Sequence, residues 1–418
     1  MEYKKIDTKK YTLHLINNDR FKSMNLVIFF TKKFDKKDLA YGSMLVKNLV
    51  YTSKLYNTKN KISKKGEDLY GAKVSASFGL TGSMEEFIVS LDFLNPIYTD
   101  KKYFELSLDF LCEVLFNPNV MDNAFQKDYF NLIKREVINN IKSIKDNPNQ
   151  YANVEFSKLM YKGSPTSYAG IPSISDVEQV TESDLYSFYK KLFDGSYKTD
   201  IILYGEFDDS VIDVINKKFQ KLNSSNKIFD IVINQKYDSK VVTKVDSLPF
   251  NQSKLYLGYR LNNLNYHEIN HVLKLYNTIL GTMNDSVLFK IVREENSLCY
   301  SVGSYYSKFN PSLIIYAGIN KENYEKTVLL IKDCVNQMKN KKTLERLFDS
   351  AKKTINTYLN TYYDDVSSQV NKYYYRQYIE DEDIEDLRCN INKVTIDEII
   401  KLNDKISLST IYFMKGDN

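Results

Sequence analysis

The order of predicted strands and helices occurs twice along this chain, and that repetition limits the possible fold more than any other feature. The first half gives, in order, a β-rich run (MNLVIFFTK), a helix from Leu39 to Lys54, two β runs (AKVSASFGL and EFIVSLDFL) and a helix (YFELSLDFLCEVLF). The second half gives KLYLGYR, a helix from Tyr266 to Leu280, the β runs LCYSVGSYYS and SLIIYAGIN, and the helix YEKTVLLIKDCVNQM. The offset between matched elements stays near about 220 to 230 residues, which indicates an internal duplication.

The fold class follows from the way strands and helices interleave in both halves. Later segments also match, because TESDLYSFYKKLF and IILYGEF have counterparts in TIDEIIKLNDKI and STIYFMK. We predict an α+β fold of two homologous α/β-layer domains, each a sheet backed by helices. A chain of 418 residues exceeds what one hydrophobic core usually supports, and the polar stretch NSSNK (223–227) is a natural joint. The predicted domains are residues 1–225 and 226–418.

Composition excludes several classes of function. The chain is 43% hydrophobic and 27% charged, which is typical of a globular protein. Its 58 basic and 53 acidic residues are well mixed, so the net charge of +5 argues against a nucleic-acid partner. The amino-terminal run MEYKKIDTKKY lacks the apolar core of a signal peptide, and no stretch approaches ~18 apolar residues. We therefore expect a cytoplasmic protein without a membrane span, whose dispersed cysteines are reduced thiols: Cys112, Cys299, Cys334 and Cys389.

The second half carries HEINH, residues 267–271, which fits the His-Glu-x-x-His pattern of two zinc-binding imidazoles on one helix face. Glu294 or Glu295 lies downstream, at a distance where zinc enzymes of the gluzincin type place a third ligand. Against this interpretation, nothing like the partner segment of a gluzincin follows. The alternative is a helical turn that happens to hold two histidines, and this alternative is the one that we predict.

Several runs resemble one known family. The segment LFKIVREENSLCYSV, preceded by ILGTMNDS, resembles the second half of pitrilysin/insulysin-type metallopeptidases, the inverzincins. In the first half LYGAKVSASF, IKDNPNQYA and IILYGEFDDS resemble the same family, so the resemblance covers essentially the whole chain. The chain length is similar to that of short members that work as paired subunits, such as mitochondrial processing peptidase. The resemblance implies a chain that forms half of a clamshell.

The resemblance also implies where zinc would lie. Members that cleave peptides carry His-x-x-Glu-His on a first-half helix, and the matching helix here reads GSMLVKNLVYTSK. Met44, Lys47 and Asn48 then take the places of His, Glu and His, and the third ligand, a later Glu, falls near Asn140. Met and Lys cannot replace imidazoles and a general base. The resemblance therefore implies that this chain has no metal site and no cofactor of its own.

Arg293 and Tyr300 match a second family feature. In cleaving relatives this Arg and Tyr come from the half without zinc and reach the bound peptide near the scissile carbonyl. A guanidinium and a phenol are donors that can hold that carbonyl and stabilise a developing oxyanion. Alternatively, Arg293 complements a helix C-terminus and Tyr300 is one aromatic residue of a sheet. We predict both as accessory catalytic residues that act with the zinc site of a partner.

The resemblance implies a non-catalytic, zinc-less subunit of a heterodimeric zinc endopeptidase that acts on peptides or unfolded segments. A homologous partner chain would hold the zinc, and the peptide would bind as an added strand on a sheet edge. One alternative is an inactive homologue that serves as a peptide-binding or scaffold protein. Another is an autonomous zinc peptidase that uses His267, Glu268 and His271.

Two further runs are interpreted as structural. The acidic segment YIEDEDIEDL (378–387) predicts a solvated helix face, although it could contact a basic substrate. The aromatic segment NKYYYRQYI (371–379) predicts helix packing rather than a surface for stacking nucleotides.

Overall fold

The computed structural model describes residues 2–225, 227–234 and 240–416. The chain forms two compact units, each drawn from both halves of the sequence. The first unit comprises Met1–Ser143, Gly170–Ile231 and Val366–Ile379; the second comprises Ile144–Ala169, Val232–Asp365 and Glu380–Asn418. Each unit combines residues from both sides of the predicted boundary between residues 225 and 226. Residue 226 itself lies outside the described residues.

The strands are as follows: β1 (Glu2–Asp7), β2 (Thr12–Asn17), β3 (Ser23–Lys33), β4 (Lys73–Thr81), β5 (Met84–Leu94), β6 (Val120–Met121), β7 (Ala124–Phe125), β8 (Lys198–Gly205), β9 (Val242–Leu248), β10 (Ser253–Leu261), β11 (Cys299–Ser307), β12 (Ser312–Ile319) and β13 (Ile406–Gly416).

The α-helices are as follows: α1 (Asp38–Tyr51), α2 (Lys59–Asp68), α3 (Lys102–Phe116), α4 (Lys127–Ser143), α5 (Pro148–Met160), α6 (Ile174–Gln179), α7 (Glu182–Lys191), α8 (Ser210–Lys218), α9 (Leu273–Asn277), α10 (Tyr324–Gln337), α11 (Lys341–Thr361), α12 (Val366–Tyr375), α13 (Ile384–Lys393) and α14 (Ile396–Asn403). Turns of π-helix occur at Glu268–Val272, Thr278–Thr282 and Phe289–Glu295. Short 3₁₀ turns occur at Pro96–Tyr98, Ile144–Asp146, Pro165–Tyr168, Lys321–Asn323 and Tyr362–Asp364.

The sheet topology confirms the duplication. The six-stranded sheet has the order β1-β2-β8-β3-β5-β4, and the five-stranded sheet has the order β11-β12-β10-β13-β9. Strands β4, β5, β3, β8 and β2 therefore correspond in order to β11, β12, β10, β13 and β9. The pairs β2–β8 and β9–β13 are parallel, and the other described pairs of the two sheets are antiparallel. The predicted α+β class, with two similar layered halves, is correct.

Helices cover both faces of each sheet, which is why the central strands are buried along their whole length. Every residue of β8 and of β10 is buried. One face of each sheet packs on an apolar core that includes Leu45 and Leu49 of α1 in the first unit and Leu273 and Leu275 of α9 in the second. Apolar residues three and four positions apart give these helices the buried stripe that the sequence predicts.

The opposite face of each sheet is covered by a helix from the other half of the sequence. In the first unit Tyr374 of α12 stacks on Phe29, with ring centroids 3.8 Å apart. The run NKYYYRQYI therefore packs against the sheet, as predicted. In the second unit Phe156 of α5 stacks on Tyr256, with centroids 5.2 Å apart. Both covering helices are consequently part of a core.

Two remaining predictions concern the acidic run and the membrane. Glu385 and Asp386 are exposed, as a solvated face requires, but Glu382 is hydrogen-bonded to Asn390 at 2.7 Å. Within the part of the chain that the structure describes, no helix is both long and apolar enough to cross a bilayer. All four cysteines are free thiols.

Candidate functional site

Helix α1 does not present metal ligands at the positions where the resemblance places zinc. The Met44 side chain lies in the core and is fully buried. Asn48 is also buried, and its side-chain amide donates a hydrogen bond to the carbonyl oxygen of Met44 at 2.9 Å. Both side chains are therefore engaged within their own helix and its packing.

Lys47, at the position of the general base, forms an ion pair. Its ammonium lies 2.8 Å from Oε2 of Glu136 on α4, and the Tyr51 hydroxyl donates to the same oxygen at 3.1 Å. The hydrogen bond from Lys47, assisted by the one from Tyr51, holds the pKa of the Glu136 carboxyl below its usual range despite the opposing effect of burial. Asn140, one turn further along α4, is exposed. An ammonium cannot ligate a metal, so these residues do not fit the zinc site of the family.

The Glu of HEINH is occupied by its own surroundings. Oε2 of Glu268 accepts a hydrogen bond from the backbone N–H of Asn265 at 2.8 Å. The ammonium of Lys405 lies 2.6 Å from Oε1 of the same side chain. Glu268 therefore fixes the start of its helical turn, which leaves it poorly placed to activate a metal-bound water.

The two histidines of HEINH do lie together, but carboxylates hold their outer nitrogens. Their Nδ1 atoms are 2.9 Å apart. Nε2 of His267 lies 2.8 Å from Glu398, and Nε2 of His271 is hydrogen-bonded to Glu382. Among the described residues no group of three or more His, Cys, Asp or Glu could hold a metal ion. The arrangement is a carboxylate–imidazole–imidazole–carboxylate chain and does not resemble a peptidase zinc site.

Arg293 and Tyr300 lie close together on the surface of the second unit. The guanidinium carbon of Arg293 is 4.7 Å from the Phe289 ring centroid and 5.9 Å from that of Tyr300. Tyr300 is 81% exposed, and Arg293 is exposed as well. Burial raises the pKa of the neighbouring Cys299 thiol to about 11, with the Arg293 charge acting in the opposite direction. The structure brings the two predicted residues together and leaves both accessible to a ligand.

A tight turn and a β-bulge set this geometry. The helical turn ends at Ser297, whose φ is +52°, with hydrogen bonds of 3.1 Å from the Ser297 N–H to the Arg293 carbonyl and from Leu298 to Val292. Strand β11 then pairs Cys299 and Ser301 with consecutive residues of β12, which leaves Tyr300 as the extra residue. A bulge redirects a side chain away from the regular alternation of a strand.

The strand that carries Tyr300 is also the terminal strand of its sheet. Within the described residues, β11 pairs with β12 on one side and with no strand on the other. An unpaired edge presents backbone donors and acceptors to which an extended peptide can pair. The same strand therefore combines an open edge with Tyr300 at its start, and Arg293 lies in the helical turn just before it.

A polar cavity of about 540 Å³ adjoins this strand, between α5 and the sheet. Its lining includes the following side chains: Asn153, Lys254, Tyr256, Ser301, Tyr305 and Tyr316. Sequence reasoning missed the cavity, because α5 comes from the first half and nothing local indicates that it covers this sheet. The one available signal was Lys254, a lysine at the start of a strand of otherwise buried character.

The fold and these sequence features match a known family. Residues 179–355 match the family described as Peptidase M16 inactive domain. The resemblance to pitrilysin/insulysin-type metallopeptidases is thereby confirmed: the chain is similar to the M16 inactive domain over this stretch and, over most of its length, to a relative named as an inactive metalloprotease.

Particular relatives agree with this class. The chain is 28% identical over 413 residues to "Probable inactive metalloprotease YmfF" of Bacillus subtilis (strain 168), covering 97% of this chain and 96% of that protein. It is 27% identical over 217 residues, 51% of this chain and 50% of the relative, to "Uncharacterized zinc protease YmxG" of the same organism. A conserved protein from Enterococcus faecalis V583 has a similar fold, with a TM-score of 0.92, 22% identity and 99% of both chains covered.

Proposed function

We propose that this chain is the zinc-free subunit of a two-chain zinc endopeptidase that cleaves peptides or unfolded segments. The homologous partner would hold the zinc and its activated water, which is the nucleophile in metal-assisted hydrolysis. This chain would supply Arg293, Tyr300 and the edge of β11 to the bound peptide.

One observation carries the proposal most directly. The guanidinium carbon of Arg293 lies 5.9 Å from the Tyr300 ring centroid, both side chains are exposed, and Tyr300 lies at the start of the edge strand β11. Among the described residues Arg293 forms no ion pair and contacts the rings of Phe289 and Tyr300, so a ligand does not have to displace an ion pair to reach them. A purely structural Arg at a helix end would not require a neighbouring Tyr to be redirected by a bulge.

The chemical roles follow from the two functional groups. A peptide paired with β11 would bring a backbone carbonyl near these side chains. The guanidinium donates hydrogen bonds, and the phenol both donates and accepts them. As water adds to the carbonyl in the partner's site, negative charge develops on its oxygen. Preorganised donors that face this oxygen lower the barrier more than they strengthen ground-state binding.

The names of two relatives from one organism support a two-chain arrangement. Bacillus subtilis has one relative named as an inactive metalloprotease and another named as a zinc protease, and this chain is similar to both. The position of the family zinc in this chain holds the Lys47–Glu136 ion pair, which fits the inactive kind. We therefore propose that the chain contributes no catalytic zinc and that the cofactor belongs to the partner.

The test is to express this chain with a zinc-bearing homologue from the same source and to purify each alone and together. The proposal expects a stable complex, about one zinc per complex located in the partner, and cleavage of an unfolded peptide by the mixture at a rate above that of either chain. About one zinc per isolated chain, lost on His267→Ala, would overturn it and favour the HEINH alternative.

A second candidate is a scaffold or peptide-binding protein without any peptidase complex. The observation in its favour is the same Lys47–Glu136 pair, which fills the family's catalytic position without any need for a partner. If the chains do not associate, while the isolated chain still binds extended peptides, this candidate is correct.

A further inference from the structure

The cavity beside β11 is open because two nearby sheet positions are glycines without side chains. Lys254 and Tyr256 lie two residues apart on β10 and therefore point to the same face of the sheet. A Cβ added at Gly303 would lie 2.7 Å from the Tyr316 hydroxyl, and one at Gly318 would lie 2.9 Å from the Gln252 side chain. Side chains at these two glycines would fill the room that α5 leaves above the sheet.

Lys254 carries a buried charge without a counter-charge. The residue is 9% exposed, and its ammonium donates to Oε1 of Gln252 at 2.6 Å. Within the described chain Lys254 makes no ion pair, and burial lowers the pKa of its ammonium with no neighbouring carboxylate to offset the effect. An ammonium has three donors, so part of its hydrogen-bonding capacity faces the cavity unused.

The surrounding hydroxyls add further donors that a ligand could use. Within the described part of the chain, the hydroxyls of Tyr256 and Tyr316 have no hydrogen-bond partner. The Tyr305 hydroxyl reaches Oδ1 of Asn153 at 3.5 Å, the limit for such a bond. Burial raises the pKa of Tyr256 to about 12, so its phenol is a neutral donor at physiological pH.

The acidic residue of α5 is already paired with lysines. Glu155 of α5 lies 2.6 Å from the ammonium of Lys158 and 2.8 Å from that of Lys244. The residues that line the cavity include no Asp or Glu. The amino-terminal turns of α5 also border the cavity through Asn149 and Asn153, and the helix dipole there favours negative charge.

We propose that this cavity binds a carboxylate of a peptide, with Lys254 as the counter-charge and the Tyr256 and Tyr316 hydroxyls as hydrogen-bond donors. The inference rests on the proposed function in taking the ligand to be a peptide. One ammonium among neutral donors matches a monoanion, whereas a phosphate dianion would require a second cation or a nest of backbone N–H groups.

The place of the cavity gives the carboxylate a role in specificity. Ser301 lines the cavity and follows Tyr300 directly in β11. A peptide paired with the edge of β11 would therefore pass Arg293 and Tyr300 and bring an acidic group, one or a few residues away, to Lys254. The carboxylate could be an Asp or Glu side chain or the carboxyl terminus of the peptide, since both have the same chemistry.

The test measures binding of three labelled, acetylated peptides to the isolated full chain. They share a short Thr/Val sequence and differ as follows: an internal Glu with an amidated end, an internal Gln with a free carboxyl end, and an internal Gln with an amidated end. A charge-assisted hydrogen bond is worth about 1.5–3 kcal/mol, so we expect at least one acidic peptide to bind roughly ten- to hundredfold more tightly than the neutral one. The acidic peptide that is favoured identifies the source of the carboxylate.

Lys254→Met should abolish this preference while leaving the affinity of the neutral peptide unchanged. Lys244→Met, which removes a lysine of β9 in the same sheet that does not line the cavity, should preserve it. Equal affinity for all three peptides, no binding of any, or a preference that survives Lys254→Met would overturn the inference. If Lys254→Met does not fold, the comparison of peptides on the wild-type chain still decides. Since no partner or cleavage is involved, failure here is distinguishable from failure of the two-chain proposal.

Discussion

Tyr300 shows how a single inserted residue can convert a sheet aromatic into a group available for binding. Tyr305 and Tyr316 of the same sheet are 41% and 38% exposed, whereas Tyr300 at the bulge is 81% exposed. Exposure of a large aromatic side chain has a cost in hydration that regular packing would avoid. The proposed binding role would account for that cost, because the ring would be covered by a peptide paired with β11.

We therefore expect Arg293→Ala and Tyr300→Phe to lower cleavage by the assembled two-chain enzyme. Removing one oxyanion-type donor typically lowers turnover on the order of 100-fold, about 3 kcal/mol. The loss will be smaller if the two donors share the task with the partner's zinc. The measurement is kcat and KM of the complex for each variant, and the change should appear in kcat rather than in KM.

The matched control is Tyr306→Phe, on the same strand but outside both the bulge and the cavity. The complex with Tyr306→Phe should cleave at the wild-type rate. All three variants should form the complex as the wild type does. Wild-type rates for Arg293→Ala and Tyr300→Phe, with a zinc-ligand variant of the partner inactive, would show that the pair is structural and that the chain acts as a scaffold.

Glu85 is a buried carboxyl whose protonation should govern the stability of the first unit. The side chain is fully buried and accepts hydrogen bonds from the Tyr197 hydroxyl at 2.8 Å and from the Asp35 N–H at 3.0 Å. Burial raises the pKa of Glu85 to about 7, against the opposing effect of the Lys32 ammonium at 3.5 Å. The folded unit therefore binds a proton that the unfolded chain releases near its ordinary pKa of about 4.3.

The free energy of unfolding should fall as pH rises from 5.5 to 8, because the folded state binds more protons over this range. The contribution of Glu85 to this fall is on the order of 2 kcal/mol. Glu85→Gln should remove it, which hydrogen exchange of β5 amides at the two pH values would measure. Glu206→Gln, at an exposed position, should behave as wild type; an unchanged slope in Glu85→Gln would contradict the assignment.

At the level of elements, the sequence predicts those segments whose burial follows from local periodicity. The predicted helix from Leu39 to Lys54 is observed as Asp38–Tyr51, and the strand MNLVIFFTK is observed as Ser23–Lys33. The helix expected from Tyr266 to Leu280 is present, but π-helical turns widen it at Glu268–Val272 and Thr278–Thr282. Apolar spacing does not distinguish i+4 from i+5 backbone bonding, so these turns could not be predicted.

Strands that depend on distant partners were not predicted. Strand β1 is largely polar and is held as an edge by pairing with β2, so it lacks an apolar alternation. Strand β9 pairs in parallel with β13 at the far end of the chain. HEINH, which we interpreted as a helical turn, has side-chain partners that are equally distant, because its Glu is held by Lys405, far away in sequence. Side-chain partners of this kind are set by tertiary structure, which a short motif does not encode.

Gly258 is a position where α5 approaches the sheet closely, and its substitution tests that packing. A Cβ there would lie 2.4 Å from the Met160 sulfur and 2.9 Å from the Phe156 ring. The pairing of β10 with β13 also shifts register between Gly258 and Tyr259. We expect Gly258→Ala to destabilise the second unit by about 1–3 kcal/mol, the usual effect of overpacking.

Hydrogen exchange of α5 under mild denaturant is the measurement, since it reports opening of that helix separately from the rest. Gly79→Ala is the control, because a Cβ on Gly79 meets nothing within 4 Å and its φ is not in the left-handed region. Equal protection of α5 in wild type and Gly258→Ala would show that the helix shifts without loss of packing.

At the level of the whole molecule, the duplication and the exchange of covering helices between the two halves of the sequence have opposite consequences for independent folding. Duplication gives each half a complete set of sheet strands, which suggests two independent folding units. Exchange removes that independence, because α12 belongs to the first compact unit and α5 to the second. Without α12, Phe29 would lose the ring of Tyr374; without α5, Tyr256 would lose that of Phe156.

The fragments 1–225 and 226–418 should therefore fail to fold when expressed separately and should form a stable complex when expressed together. Each isolated fragment would leave one apolar sheet face uncovered, and exposed faces of this kind lead to aggregation. The measurement is solubility, circular dichroism and cooperative unfolding of each fragment and of the co-expressed pair.

The control is the intact chain cleaved by a protease at a site inserted between residues 225 and 226. This cleaved chain should keep its structure because both exchanged segments are already in place. The contrary outcome is a fragment 1–225 that unfolds cooperatively on its own, with the stability that the first unit has in the intact chain. That result would show that α12 is dispensable and that each half folds without the exchanged helix.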